Sequence, residues 1–140
     1  MTTDTPRRTI LCVDDEQDIL DSMYDTLKEH YNVKLANNAA DALRILQEED
    51  IAVVISDQRM PSMTGSELFA EIHKIKPHCK KILLTAYMDI RAAMDAINKG
   101  AVNKYLTKPW NNEEIIEIVH ELVEAYNADD FMLGLLLQIH

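Results

Sequence analysis

Asp14-Asp15, Asp57, Thr85 and Lys108-Pro109 each stand at the end of a run of apolar residues. The run Thr9–Val13 precedes the acid pair, 51–56 precedes Asp57, 81–84 ends at Thr85, and 103–107 leads to Lys108. Carboxylates, a hydroxyl and an ammonium gathered at one place can bind a divalent metal and take up a phosphoryl group. Carboxylates within a few ångströms of one another repel strongly at low local dielectric. Folding does not require such a cluster, so a counter-ion is implied. Hard oxygen ligands with sites left for water and phosphate suit magnesium, Mg2+. A carboxylate can attack phosphorus, and Asp57 is the natural nucleophile because it ends the central strand. Lys108 would pair with one phosphoryl oxygen, and the Thr85 hydroxyl would hydrogen-bond another. Pro109 permits a cis peptide that would aim Lys108 into the site.

These groups converge only if the chain folds as a parallel sheet, in which every strand points the same way. The pattern supports that. Ile19, Leu20, Met23 and Leu27 recur at helical spacing after the first run, and 33–36 reads as a short strand. Asn38 can cap a helix carrying Ala42, Leu43, Ile45 and Leu46 on one face. Leu68, Phe69, Ile72 and Ile75 mark a third helix that Pro77 stops. Ile90, Ala93, Met94 and Ile97 mark a fourth, with Gly100 placed to end it. A fifth opens at Asn111 or Asn112, carries Glu113 and Glu114 in its first turn, and buries Ile115, Ile118, Val119, Leu122 and Tyr126. Strand and helix alternate strictly, and strands one, three and four are nearly all apolar, as when helices cover both faces. The expected fold class is α/β, a doubly wound five-stranded parallel sheet in the flavodoxin-like order 2-1-3-4-5. That order sets strands one and three side by side, so Asp14, Asp15 and Asp57 become neighbours at the edge where such sheets bind ligands.

The 140 residues suit a single domain, with 47% hydrophobic and 27% charged residues. An N-terminal arm over 1–8, a main domain over 9–126 and a C-terminal extension or linker stub over 127–140 are the expected divisions. No apolar run approaches the roughly 20 residues that cross a membrane, and no signal-peptide segment follows the basic start, so the expected location is the cytoplasm. A net charge of −10 opposes direct contact with nucleic acid or anionic membranes. Cys12 reads as a small core residue and Cys79 as a loop residue.

As a set, Val13-Asp-Asp-Glu16, Ser56-Asp-Gln-Arg-Met-Pro61 with Gly65, Leu84-Thr-Ala86 and Tyr105-Leu-Thr-Lys-Pro109 resemble a two-component response-regulator receiver domain of the CheY-like superfamily. The resemblance runs from about 7 to 126. It implies that Asp57 accepts a phosphoryl group from the phosphohistidine of a sensor histidine kinase. It implies that Asp14, Asp15, Asp57 and the backbone carbonyl of Arg59 hold Mg2+. It implies a switch pair, Thr85 and Tyr105, that changes the partner preference of the face built by the fourth helix, fifth strand and fifth helix, roughly 89–126. That face would control an output domain or a downstream protein. Such a domain catalyses only its own phosphorylation and dephosphorylation. Arg59 and Tyr87, each second after a key residue, would flank the path of attacking water and slow decay of the acyl phosphate. Asp57-Gln-Arg-Met-Pro61 and Lys108-Pro-Trp110 look most like receivers attached to larger output domains.

Other readings stand beside these. Asp14-Asp15 taken alone would cap a helix, Thr85 alone would end a strand, and Trp110 would cover a sheet edge. An FMN carrier of the same sheet order needs a small-residue phosphate loop after strand one, and three acids stand there instead. Haloacid-dehalogenase-like phosphatases need a second acid two residues after the nucleophile, where Arg59 stands. The glycines are Gly65, Gly100 and Gly134, so no glycine-rich nucleotide loop exists. A third reading is a receiver acting as an adaptor without phosphate, against which the complete acid set argues. The uncharged stretch Phe131-Met-Leu-Gly-Leu-Leu-Leu-Gln-Ile139 either extends the fifth helix, pairs two chains or begins a linker.

Overall fold

Strand β1, Thr9–Val13, is buried over its last four residues and forms the second strand of the sheet. The computed structural model describes residues 7–86, 91, 94 and 101–139. β1 pairs in parallel with β2, Asn32–Ala36, and with β3, Val53–Asp57. β3 pairs with β4, Lys80–Thr85, and β4 with β5, Lys104–Thr107. The order is β2-β1-β3-β4-β5, the order expected from the strand pattern. Central β3 is buried at every position, whereas edge strand β2 alternates exposed and part-buried residues before Ala36. β3 begins two residues later than the apolar run suggests and takes Asp57 in as its last residue.

Helix α1 spans Gln17–Leu27, α2 Ala39–Glu48 and α3 Gly65–Ile75, and a C-terminal helix spans Asn112–Ile139. Successive strand residues point to opposite faces. Ile10, Cys12, Val53, Ile55, Ile82, Leu84 and Leu106 therefore pack with Leu20, Met23 and Leu27 of α1 and Ile115, Val119 and Leu122 of the C-terminal helix. Leu11, Val13, Val54 and Leu83 face the other way and pack with Ala42 and Leu46 of α2 and Leu68, Phe69 and Ile72 of α3. Local sequence sets the helix starts. Asn38 accepts from the Asp41 amide, Thr64 and Glu67 form a reciprocal capping box, and the Asn111 carboxamide oxygen accepts from the Glu113 and Glu114 amides. The cap of α1 is Glu16, whose side chain makes no capping bond, so the Asp pair is not the N-cap.

Most of the expected fourth helix, and Tyr87 with it, lies outside the described residues; Arg91 and Met94 are helical, with Met94 exposed. The C-terminal helix continues without a break through 127 to Ile139. Among the described residues, no helix is long and apolar enough to cross a membrane.

Candidate functional site

Register turns the sheet order into a site. Val13 pairs with Ser56, Asp57 with Leu84, and Thr85 with Thr107, so β1, β3, β4 and β5 end level. The next residues carry that alignment onward: the Asp14 amide donates to the Ala36 carbonyl at 3.1 Å, the Gln58 amide to Leu84 at 2.9 Å, and the Lys108 amide to Thr85 at 3.0 Å. Asp14, Asp57, Thr85 and Lys108 thus share the carboxyl edge. Carboxylate oxygens of Asp14, Asp15 and Asp57 all lie within 4.8 Å of one another. The Lys108 Nζ stands 3.0 Å from Asp57 Oδ1 and 3.4 Å from Asp14 Oδ2. The Lys108–Pro109 peptide is cis.

Burial sets the electrostatics. Asp14 is fully buried and Asp15 exposed, while Asp57 is 7% exposed. Burial pushes the Asp14 pKa above its ordinary 3.8, and the Asp57 charge adds to that; the Glu16 amide at 2.9 Å and the Lys108 ammonium work against it. For Lys108 burial favours the neutral amine, but the hydrogen bond to Asp57 and the charges of Asp14 and Asp57 together raise its pKa. Among the described residues, one ammonium therefore lies within ion-pair distance of two members of a three-carboxylate cluster, and one of those carboxylates is fully buried. A hard divalent cation fits this donor set: all the ligating atoms are oxygens, and they carry surplus negative charge. Such an ion would supply charge neutralisation that Lys108 alone does not.

Thr85 is buried, and its hydroxyl donates to the Ala86 carbonyl at 3.2 Å. Leu83 pairs with Tyr105 and Thr85 with Thr107, so Thr85 and Tyr105 are diagonal neighbours on one face of the sheet. Tyr105 is 38% exposed. Arg59 is exposed, and Trp110 packs against the cluster shared by α1 and the C-terminal helix. Gly65 is required by contact: a Cβ there would lie 2.4 Å from the Asp57 carbonyl oxygen and 2.7 Å from Leu83 Cδ1. Sequence reasoning overlooked Gln58, a buried polar residue directly after Asp57. Its signal was a carboxamide at a position that strand burial makes expensive unless bonded.

With fold and geometry in place, the class follows. The chain belongs to the response regulator receiver domain family, whose sequence model matches residues 10–120. It is a receiver domain of the two-component response-regulator kind. It is similar to the hydrogenase transcriptional regulatory protein HoxA of Cupriavidus necator, with 31% identity over 94% of this chain and 27% of that protein. It is 38% identical to the transcriptional regulatory protein GlrR of Escherichia coli K12, over 82% of this chain and 26% of that protein. The chain thus spans about a quarter of the length of these relatives. Among solved structures, the response regulator protein TrrA of Thermotoga maritima, in complex with Mg(2+)-BeF, has a TM-score of 0.74 and 35% identity, over 82% of this chain and 98% of that one.

Proposed function

We propose that Asp57 is the phosphoacceptor of a phosphorelay, loaded by a sensor histidine kinase. The supporting observation is the carboxylate cluster at the carboxyl edge: oxygens of Asp14, Asp15 and Asp57 lie within 4.8 Å of one another, and the Lys108 ammonium reaches Asp14 and Asp57. An Asp57 carboxylate oxygen attacks phosphorus. The phosphorus–nitrogen bond to the donor histidine breaks, and its electron pair leaves on the imidazole. Asp14, Asp15, Asp57 and the Arg59 carbonyl would hold Mg2+. When bound, the ion offsets charge on the phosphoryl oxygens. TrrA, of the same fold, is in complex with Mg(2+)-BeF, which supports this metal. Lys108, already within 3.0 Å of Asp57, would move onto a phosphoryl oxygen. Thr85 would give up its bond to Ala86 and donate to another. Tyr105 would then turn inward from its exposed position and change the face that includes β5 and the C-terminal helix. Arg59 and Tyr87 would shield the acyl phosphate, giving slow decay.

The output is an attached domain or a downstream protein, acting in the cytoplasm without direct nucleic-acid contact by this domain; relatives named as transcriptional regulators support an attached output. A groove lined by Ile19, Ser22, Pro109, Trp110 and Asn112 beside Lys108 offers the donor protein an apolar landing. From 127 onward the C-terminal helix carries exposed Phe131, Met132, Leu136 and Leu137, which suit an output contact or pairing of two chains. The test is intact mass after incubation with Mg2+ and a small acyl phosphate. The wild type gains one phosphoryl group and Asp57→Asn gains none. No gain on the wild type would favour a phosphate-independent adaptor.

A further inference from the structure

Gln58 lies between the acceptor Asp57 and Arg59, and it is only 8% exposed. Both of its oxygens turn to the start of α3. Its backbone carbonyl accepts from the Gly65 amide at 3.0 Å. Its side-chain oxygen accepts from both the Ser66 amide and the Ser66 hydroxyl, each at 2.9 Å. Gly65 and Ser66 open α3, and their amides are among the donors that a helix start leaves without intrahelical partners. Gln58 alone answers both, while Thr64 answers the next, Glu67. The start of α3 also rests on the acceptor itself, because Gly65 leaves no room for a Cβ against the Asp57 carbonyl. The hydroxyl of Ser56 donates to the same carbonyl at 3.0 Å. The two ends of loop 58–64 are therefore tied to each other through Gln58, against the Asp57 carbonyl.

We infer that Gln58 is a positioning residue for the metal-binding half of the site: by holding α3 on the Asp57–Gln58 backbone, its side chain sets where the adjoining Arg59 carbonyl stands relative to the carboxylates. This rests on the reading of the edge as a Mg2+-dependent phosphoacceptor. Residues that orient metal ligands without touching the metal change its affinity about 10- to 100-fold when replaced. Gln58→Met keeps length and removes the acceptor; Gln58→Glu keeps it; Ser66→Ala removes one of the two side-chain donors. Titration of each purified protein with Mg2+ alone reads affinity, and amide exchange at Ser66 reads the helix start. Gln58→Met should bind Mg2+ about 10-fold more weakly, and the Ser66 amide should exchange faster. At saturating Mg2+ its rate of phosphoryl uptake should stay near that of the wild type, so the defect appears in the Mg2+ requirement and not in the limiting rate. Gln58→Glu should restore affinity. Ser66→Ala should lose less, and adding it to Gln58→Met should cost nothing further.

If Gln58→Met does not fold, the comparison of Ser66→Ala and Gln58→Glu with the wild type decides in its place. Wild-type Mg2+ affinity in a folded Gln58→Met, additive losses in the double variant, or an unchanged Ser66→Ala together with a weakened Gln58→Glu would overturn the inference. A wild type that binds no Mg2+ would overturn the phosphoacceptor reading itself.

Discussion

At the carboxyl edge of the sheet, Lys108 is the one ammonium among the described residues within ion-pair distance of the three-carboxylate cluster, and Asp14 in that cluster is fully buried. At the amino edge two cations each meet an acid. Arg8, just before β1, meets Asp130 at 3.6 Å, donates to the Asn127 side chain at 2.7 Å and lies over the Tyr126 ring; Lys80, opening β4, meets Asp129. Arg8 and Lys80 each have their own acid, and both acids are exposed, while buried Lys81 donates to the Cys79 carbonyl at 2.7 Å. The matched edge ties the middle of a long helix to the domain. The other edge sets the Lys108 ammonium against the carboxylates of Asp14, Asp15 and Asp57. A fold tolerates such an imbalance at a cost in stability, and a ligand that balances it repays that cost through binding. The same kinds of residue thus serve anchoring at one end of the strands and chemistry at the other.

The largest expected effect tests whether the carboxyl edge is as closely built as it looks. Gly65→Ala would drive a Cβ to 2.4 Å from the Asp57 carbonyl, against backbone that cannot swing aside. It should cost about 3 kcal/mol in denaturant unfolding. A cost below about 1 kcal/mol would mean that α3 backs away freely.

The next effect is a gain. Asp14 has its pKa raised above 3.8 by burial, so the folded protein holds this proton more tightly than the unfolded chain does. The contribution is fully present below that value and is lost as pH rises through the raised folded value. At neutral pH and without metal, the Asp14 carboxylate is therefore a cost. Asp14→Asn should stabilise the metal-free protein by about 1 kcal/mol at pH 7, with the gain fading in acid. Added Mg2+ should raise the melting temperature of the wild type and much less that of the variant. Equal Mg2+ stabilisation of both would break the contrast between the edges.

The smallest effect belongs to the matched edge. Lys80→Ala should cost about 0.5 kcal/mol at low salt and less at high salt, since exposed pairs contribute little. Lys80 lowers the Asp129 pKa below 3.8, so the pair's contribution is present above that value and lost as pH falls through the depressed one. Phosphoryl uptake should not change. A large loss of uptake in Lys80→Ala would show the two edges to be coupled.

The strand order and the meeting of Asp14, Asp15, Asp57 and Lys108 were legible in the sequence because parallel strands bring their ends to one edge whatever the loops do. The apolar runs marked those ends to within two residues. The anchoring at the amino edge was not legible. Arg8 and Asp130 are 122 positions apart, and nothing in a local pattern reports a pair that only the path of the C-terminal helix creates. Gln58 escaped for a different reason: its value lies in its two bonds to Ser66, and a carboxamide after an acid carries no periodic signal. The unbroken helix past 127 was one of three open readings because an uncharged run has no face to choose.

The charge imbalance at the carboxyl edge is tested most directly by locating the phosphoryl group. The protein is incubated with a small acyl phosphate, with and without Mg2+, then reduced with borohydride, which converts an aspartyl phosphate to homoserine, and mapped by peptide mass. A Mg2+-dependent phosphoacceptor at Asp57 predicts homoserine at position 57 alone, and only when Mg2+ is present. Reduction product at Asp14 or Asp15, or at Asp57 in equal yield without Mg2+, would contradict it.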